Sequence, residues 1–287
     1  LASKQILKIL KIKCVSLANN HIYDCTMPGL KSTIEMLDEI NVFHTGAGWK
    51  KEHTEPVIIN HDGQKTAFMA YVDASTNPKT ESFPELYINY INEKEILHKI
   101  DNLNGSVNKI ILSLHWGNDY SFYPNPEQIN MAKRFVEAGA DIIMGHHPHT
   151  IQPYEKYKNS YIFYSLGGLT FGDYKKSINS SLVALFRKTK RGVITRYNFK
   201  KNSVSFISSL ELEGNFIKIT NTNYEKWSRI MWNYYKIKHS HPLLKSIFLF
   251  KEMVLDRIYE YFFGYYQNPI SRLFQLSNIR KFPKLFK

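Results

Sequence analysis

The chain has 287 residues, 43% hydrophobic and 22% charged, which is enough to bury the core of one large domain with an appendage, or of two domains. Its formal net charge of +13 favours anionic partners without choosing among phosphorylated or carboxylated substrates, nucleic acid and an acidic membrane surface. Two cysteines exclude a disulfide framework, and no apolar stretch approaches the length of a membrane-spanning helix.

Apolar periodicity and turn residues predict secondary structure along most of the chain. In order, we expect a helix up to Lys13, a strand at 14–18, a loop at 26–29, a helix at 30–40, a strand at 42–45, a hairpin of 57–60 and 66–72, a helix at 95–103, a strand at 109–114, a helix at 126–138, and strands at 141–144, 161–166, 181–187, 193–200 and 203–210. Strands that alternate with helices indicate a layered α/β core.

The composition changes near the C-terminus. Residues 224–287 contain 12 Lys or Arg, 4 Asp or Glu and 16 aromatic residues, with a helical spacing interrupted by proline and glycine. We therefore predict an α/β domain over 1–215 and a basic, mostly helical appendage over 216–287. This appendage either packs on the core with a solvated basic face or contacts a membrane surface.

Several predicted strands end in imidazole or carboxamide groups. These residues are Asn20 and His21, then His115, then His146, His147 and His149. In layered α/β folds ligands collect at the carboxyl ends of strands, and neutral imidazole can bind a metal or move a proton. In an extended stretch, the side chains of residues i and i+2 point the same way, and Pro148 stiffens the segment between His147 and His149. We therefore expect both imidazoles to reach one metal ion or two adjacent ones. His115 taken alone is more typical of an ordinary hydrogen-bonded strand end than of a ligand, and the other histidines are interpreted as structural or exposed.

Five segments resemble, in this order, the CapA family of bacterial capsule and poly-γ-glutamate synthesis proteins. They are SLANNHIYD, GLKSTIEMLDEINVFHTGAG, LSLHWGNDY, AGADIIMGHHPHTIQPYE and YIFYSLGG, and the resemblance covers about residues 1 to 175. It implies a four-layer α/β/β/α sandwich of the calcineurin-like metallophosphoesterase type. It also implies two divalent metal ions, of Mn, Fe, Zn or Mg, at the loop ends.

The resemblance also implies individual roles. The metal ligands would be Asn20, His115, His147 and His149. His21 would be the catalytic proton donor and Asp24 the carboxylate that orients it, although Asp24 could equally be a surface residue of the next turn. The residues expected to contact substrate or line the pocket are Asn19, Trp116 and His146.

Some family features are missing or altered. Family members supply acidic ligands from an N-terminal GD strand and an N-x-E-x-P segment, and neither is in this chain. We therefore expect an N-terminally truncated member that lacks its first strands, binds metal weakly and has little activity. The usual HWGxEY reads HWGNDY, so Asp119 either takes the part of the carboxylate or lies on the surface. The usual YSLGNF reads YSLGGL, which changes expected substrate contacts.

The function implied by the resemblance is that of a metal-dependent hydrolase-like protein of capsule or poly-γ-glutamate biosynthesis or remodelling. It would act on a phosphoester or amide bond of an anionic polymer or phosphorylated precursor. The alternative is a non-catalytic scaffold that binds polymer or a capsule synthase. A peripheral membrane contact through the basic C-terminal region is a further expectation, and nucleic-acid binding is a weaker one. Location in the cell envelope, at the membrane or in the cytoplasm stays open.

Overall fold

The computed structural model describes residues 2–76, 85–170, 174–175, 182–183, 190–212 and 217–240. The chain divides into two compact units. The first comprises Leu1–Pro148 and Gln152–Leu166, and the second comprises His149–Ile151 and Gly167–Lys287.

The first unit is a mixture of helices and mostly parallel strands. Its elements are α1 (Ala2–Ile9), β1 (Cys14–Ser16), α2 (Thr26–Glu39), β2 (Phe43–Thr45), β3 (Ala47–Gly48), a 3₁₀ turn (Lys51–Thr54), β4 (Val57–His61), β5 (Gln64–Val72), β6 (Tyr87–Ile88), α3 (Glu93–Leu103), β7 (Lys109–His115), α4 (Pro126–Ala138), β8 (Ile142–His146), β9 (Tyr154–Tyr157) and β10 (Ser160–Phe163).

A six-stranded sheet forms the centre of this unit, in the order β4-β5-β7-β8-β10-β9. The four inner strands are parallel, and the two edge strands pair antiparallel to their neighbours. From Leu112 to His115 every residue of β7 is buried, so both faces of that strand are covered at its carboxyl end. This burial places the end of β7 inside the protein rather than on an open edge.

The segment that leads to Asn20 belongs to a smaller two-stranded sheet. β1 pairs in parallel with β2, and the amide of Leu17 donates to the carbonyl of Thr45 at 2.9 Å. Leu17 also belongs to an apolar cluster with Leu30, Ile34, Leu37, Val42 and Ala47. Since the three α2 residues follow the spacing of one helix face, the packing of α2 fixes the direction in which the chain leaves β1.

The second unit is antiparallel over its described residues. Its elements are β11 (Tyr174–Lys175), β12 (Leu182–Val183), β13 (Arg191–Asn198), β14 (Ser203–Glu211), β15 (Ile217–Thr220) and α5 (Tyr224–Ser240). β13, β14 and β15 form one sheet, and β11 pairs with β12. In the part of the chain that the structure describes, no helix is long and apolar enough to cross a membrane.

The α/β class predicted from the sequence is confirmed, and several elements differ in detail. The predicted loop at 26–29 is wrong: these residues form the first turn of α2, where Pro28 is tolerated because its missing amide hydrogen has no helical partner there. The strand β9 was not predicted, and the strand predicted over 161–166 already ends at Phe163. β7 and β8 are longer than predicted, so His115 and His146 are their last residues.

The appendage predicted over 216–287 is described only in part. Ile217–Thr220 is a strand paired with β14, whereas Tyr224–Ser240 is helical as predicted. Residues 241–287 lie outside the described residues, as does most of the strand predicted over 181–187. The domain boundary at residue 215 stays a prediction.

We predict that Asn125→Ala lowers the free energy of unfolding by about 1 kcal/mol. Asn125 caps α4 by accepting from the amide of Gln128 at 2.8 Å, and the Gln128 side chain accepts from the Asn125 amide at 2.9 Å. Urea denaturation measures the loss. The same substitution at exposed Asn130, inside the same helix, is the control and should have little effect; equal losses at the two positions would contradict the capping role.

A second prediction concerns acid stability. Burial lowers the pKa of His53, with the charge of His44 adding to the effect. As the pH falls below about 6.5, the unfolded chain takes up this proton before the folded protein does, so the free energy of unfolding should fall. His53→Gln should flatten that decline in pH-dependent urea denaturation, whereas His98→Gln, at an exposed site, should leave its slope unchanged. An unaltered slope in His53→Gln would contradict the assignment.

Candidate metal centre

The centre begins where β7 and β8 end side by side. His115 and His146 are partners in the parallel register of these strands. Nε2 of His115 lies 3.0 Å from Oδ1 of Asn20, a residue 95 positions earlier in the chain. His115 is 6% exposed, so this contact is largely shielded from water. The fold therefore brings together a carboxamide and an imidazole that the sequence analysis predicted as metal ligands.

The turn after β1 presents Asn20 and His21. Oδ1 of Asn19 accepts from the His21 amide at 2.9 Å, while its Nδ2 donates to the carbonyl of Leu17 at 3.3 Å. Asn19 thereby shapes the turn with both ends of its side chain. Substrate contact by Asn19, which we predicted from the resemblance, stays a prediction.

His21 and Asp24 form a pair within the same turn. Nδ1 of His21 lies 2.8 Å from Oδ2 of Asp24, and the side chains are 63% and 60% exposed. Because a carboxylate only accepts, Nδ1 carries a proton in this contact and Nε2 is the ring nitrogen available to exchange one. The orienting role of Asp24, which the resemblance implied, stays a prediction.

His147 and His149 follow β8 in a tight turn. Their φ angles are +99° and +58°, so the expectation of an extended His-Pro-His presentation is wrong. The ring of His147 nevertheless lies 4.7 Å from that of His115, measured between centroids. Asp119 and His147 each offer one possible ligand atom, and these atoms lie within 4.8 Å of one another. The left-handed conformation of His147, rather than an extended segment, places its imidazole beside the ring of His115.

Two carboxylates lie close enough to His147 to affect its charge. Burial lowers the pKa of His147, and the negative charges of Asp119 and Asp73 partly oppose that shift. Oδ1 of Asp119 is 3.4 Å from Nε2 of His147. The sequence alone did not decide whether Asp119 is a ligand or a surface residue. The structure places its carboxylate beside His147, a candidate ligand.

Asp73 was not predicted from the sequence, although the sequence carries a signal for it. It directly follows β5, and its amide donates to the carbonyl of His115 at 2.8 Å. Its Oδ1 accepts from the amide of Ser75 at 2.9 Å, which holds the carboxylate in a turn. A polar residue immediately after a buried strand is the same pattern that singled out His115, and applying it to β5 would have found Asp73.

Trp116 does not occupy the position expected of a substrate contact. Its side chain is 1% exposed, its Nε1 donates to the carbonyl of Tyr164 at 3.1 Å, and its ring stacks on that of Tyr164. Gly145 permits this packing, since a Cβ there would lie 1.9 Å from the Tyr164 carbonyl oxygen. Trp116 therefore acts in the core, where it supports the end of β8, and its predicted contact with substrate is not supported.

His146 is the last residue of β8 and is half-buried. Desolvation, together with the charge of His147, lowers the pKa of His146 to about 4. It is therefore a neutral imidazole near pH 7. Its hydrogen bonds join Ser113 and His115, so the predicted role in lining a pocket stays untested.

The donor set fits a divalent cation. Two neighbouring ligands at about 2.1 Å from an octahedral ion stand about 3 Å apart, which is the separation between Asn20 Oδ1 and His115 Nε2. Carboxylate, carboxamide and neutral imidazole all bind such ions, and Asp119 adds a negative charge that the four predicted ligands lack. The roles of Asn20, His115, His147 and His149 as ligands, and the number and identity of ions, stay predictions.

These observations define an α/β protein with a candidate divalent-cation centre at the carboxyl ends of its parallel strands. Residues 2–173 match the family described as bacterial capsule synthesis protein PGA_cap, and the chain belongs to this family. That finding confirms the family inferred from the five sequence segments.

Curated relatives carry names of the same kind. The chain is 30% identical over 208 residues to "Capsule biosynthesis protein CapA" of Bacillus anthracis, covering 69% of this chain and 47% of the relative. It is 29% identical over 211 residues to "PGA biosynthesis protein CapA" of Bacillus subtilis, covering 70% and 50%. The chain therefore spans about half the length of these relatives. Among solved structures, it is similar to a 5'-nucleotidase precursor from Thermus thermophilus, with 14% identity, a TM-score of 0.44, and coverage of 82% of this chain and 45% of the other.

We predict that Asp119→Asn weakens the binding of Mn²⁺ or Zn²⁺ by about tenfold or more, because it removes a negative charge beside His147. Isothermal titration calorimetry measures the change. Asp62→Asn is the matched control, since Asp62 lies in the exposed hairpin turn between β4 and β5. Equal affinities for Asp119→Asn and the unmodified protein would show that this carboxylate is only a surface group.

Proposed function

We propose that this protein is a metal-dependent hydrolase of capsule or poly-γ-glutamate biosynthesis or remodelling. It acts on a phosphoester or amide bond in an anionic polymer or a phosphorylated precursor. The observation that carries the proposal is the 3.0 Å contact between Asn20 and His115, which brings together two predicted ligands from distant strand ends. Membership of the capsule synthesis family and the names of the relatives support the biological setting.

The proposed centre holds two divalent cations. Asn20 and His115 would be ligands, and the nearby His147, with Asp119, would supply others. His149 is proposed as a ligand on the resemblance to the family alone. Such ions polarise the scissile centre and add positive charge that attracts an anionic substrate. The net positive charge of the whole chain would also attract an anionic substrate.

The protein's own proton chemistry falls to His21. Asp24 accepts from Nδ1–H of His21 and holds the ring, so a second proton on the ring would lie on Nε2, and Nε2 would deliver that proton to the leaving group. Both side chains are largely exposed, which leaves room for a polymer to approach. Asp24 acts through His21 and is a positioning residue in this scheme.

A non-catalytic scaffold is the second candidate. The observation that favours it is the neutral character of Asn20, His115, His147 and His149, since two close cations are held best by several anionic ligands. Such a scaffold would bind the anionic polymer or a synthase without cleaving a bond. Contact of the basic C-terminal region with a membrane surface remains part of either proposal.

The test measures metal content and hydrolysis on the same preparation. We expect the protein, assayed with added Mn²⁺ or Zn²⁺, to bind the cation weakly and to cleave either bis-p-nitrophenyl phosphate or poly-γ-glutamate slowly. His115→Gln should reduce metal content and cut hydrolysis by more than about 100-fold, because loss of outer partners of a ligand already costs up to that much. His44→Gln is the control, since His44 contacts Asp38 away from the centre.

The two candidates give different outcomes. Binding of poly-γ-glutamate without cleavage of either substrate, by protein that holds metal, would support the scaffold and reject the hydrolase. A protein that holds no divalent cation and cleaves neither substrate would overturn the metal-dependent proposal. Retained hydrolysis in His115→Gln would place the chemistry elsewhere in the molecule.

A further inference from the structure

A continuous series of side-chain hydrogen bonds runs behind the proposed centre. Ser113 Oγ lies 2.8 Å from Nε2 of His146, Nδ1 of His146 lies 2.9 Å from Nδ1 of His115, and Nε2 of His115 lies 3.0 Å from Oδ1 of Asn20. All four residues belong to the first compact unit. The series connects a buried hydroxyl to a candidate ligand atom through two imidazoles.

The sheet explains why these groups meet. Ser113 and His115 are two residues apart on β7 and therefore lie on the same face of the sheet. His146 is paired with His115 across the parallel ladder, and its ring reaches back along β7 to Ser113. Ser113 is 2% exposed, so water has little access to this end of the series. The register of β7 and β8 thus fixes all three side chains.

A neutral imidazole carries one N–H, so the series has a direction. When Nε2 of His115 donates to Asn20, its Nδ1 must accept from Nδ1–H of His146, and Nε2 of His146 must accept from the Ser113 hydroxyl. A cation held by Nε2 of His115 needs the lone pair on that atom. The proton of His115 then lies on Nδ1 and donates to His146, whose own proton lies on Nε2 and donates to Ser113.

We propose that His146 is a positioning residue that sets the tautomer of His115. Cation binding switches both rings together to the opposite tautomer. The inference rests on the proposed function, because it assigns His115 a cation. Each ring keeps one proton throughout, so the reversal moves protons between nitrogens and leaves both rings neutral. With the cation bound, the hydroxyl oxygen of Ser113 accepts from Nε2–H of His146.

The first experiment observes the imidazole nitrogens directly. Histidine labelled with ¹⁵N distinguishes protonated from bare ring nitrogens in NMR spectra, with assignment by single His→Gln variants. Without metal, His115 should be protonated at Nε2 and His146 at Nδ1. With Zn²⁺, His115 should be protonated at Nδ1 and His146 at Nε2. A His146 tautomer that stays the same when Zn²⁺ binds would overturn the proposal.

The second experiment uses two substitutions of nearly the same shape. His146→Asn keeps a hydrogen-bonding amide near the position of Nδ1, whereas His146→Leu does not. We expect His146→Leu to weaken Zn²⁺ binding by about 10–100-fold and His146→Asn by only a few-fold. Thermal unfolding without metal establishes that both variants fold. If both weaken binding equally, or neither does, His146 acts only by packing and the proposal fails.

Failure of this inference is distinguishable from failure of the proposed function. Unmodified protein that binds Zn²⁺ with no change at His146, or no difference between the Asn and Leu variants, rejects the tautomer role and leaves the metal centre standing. Unmodified protein that binds neither Zn²⁺ nor Mn²⁺ rejects both. If a variant does not fold, the NMR experiment on the unmodified protein still decides whether His146 changes its tautomer.

Discussion

The parallel pairing of β7 with β8 is the constraint on which the candidate centre depends. Because the ladder aligns His115 with His146, the two strands end at the same level, and the turns that follow them start side by side. A shift by one residue would turn His115 to the opposite face of the sheet and away from Asn20. Burial of both faces of β7 near its end makes such a shift costly, since apolar residues would exchange places with polar ones.

The arrangement also separates two kinds of polar group. His115, His146 and Ser113 lie within the strands, where their side chains hydrogen-bond to one another. His21, Asp24 and Asp119 lie in exposed turns, where charge is tolerated and where a polymer could reach them. Of the four predicted ligands, His115 lies in a strand, whereas Asn20, His147 and His149 lie in segments that follow strands, as do the groups that would exchange protons or add charge.

Apolar periodicity and turn residues predicted much of the fold, and there are physical reasons why they did not predict the rest. The helix predicted over 126–138 matches Pro126–Ala138 to the residue, and a capping box, an N-terminal proline and a glycine after the last residue explain its sharp ends. The strand Tyr154–Tyr157 was missed because its Tyr-Glu-Lys-Tyr sequence has no apolar alternation, and its stability comes from pairing with β10. Of the candidate centre, strand-end polarity indicated Asn20 and His115, but the left-handed turn of His147 and His149 depends on the tertiary path that follows β8.

The contact of Asn20 with His115 has a consequence for how the protein unfolds. It closes a loop of 95 residues between the N-terminal segment and the middle of the central sheet. A cation shared by these two side chains would act as a reversible cross-link across that loop, restricting the unfolded chain in the way that a disulfide does. Occupancy of the centre would then control how readily the N-terminal segment detaches, and chelators would expose that segment to proteases before the sheet itself is lost.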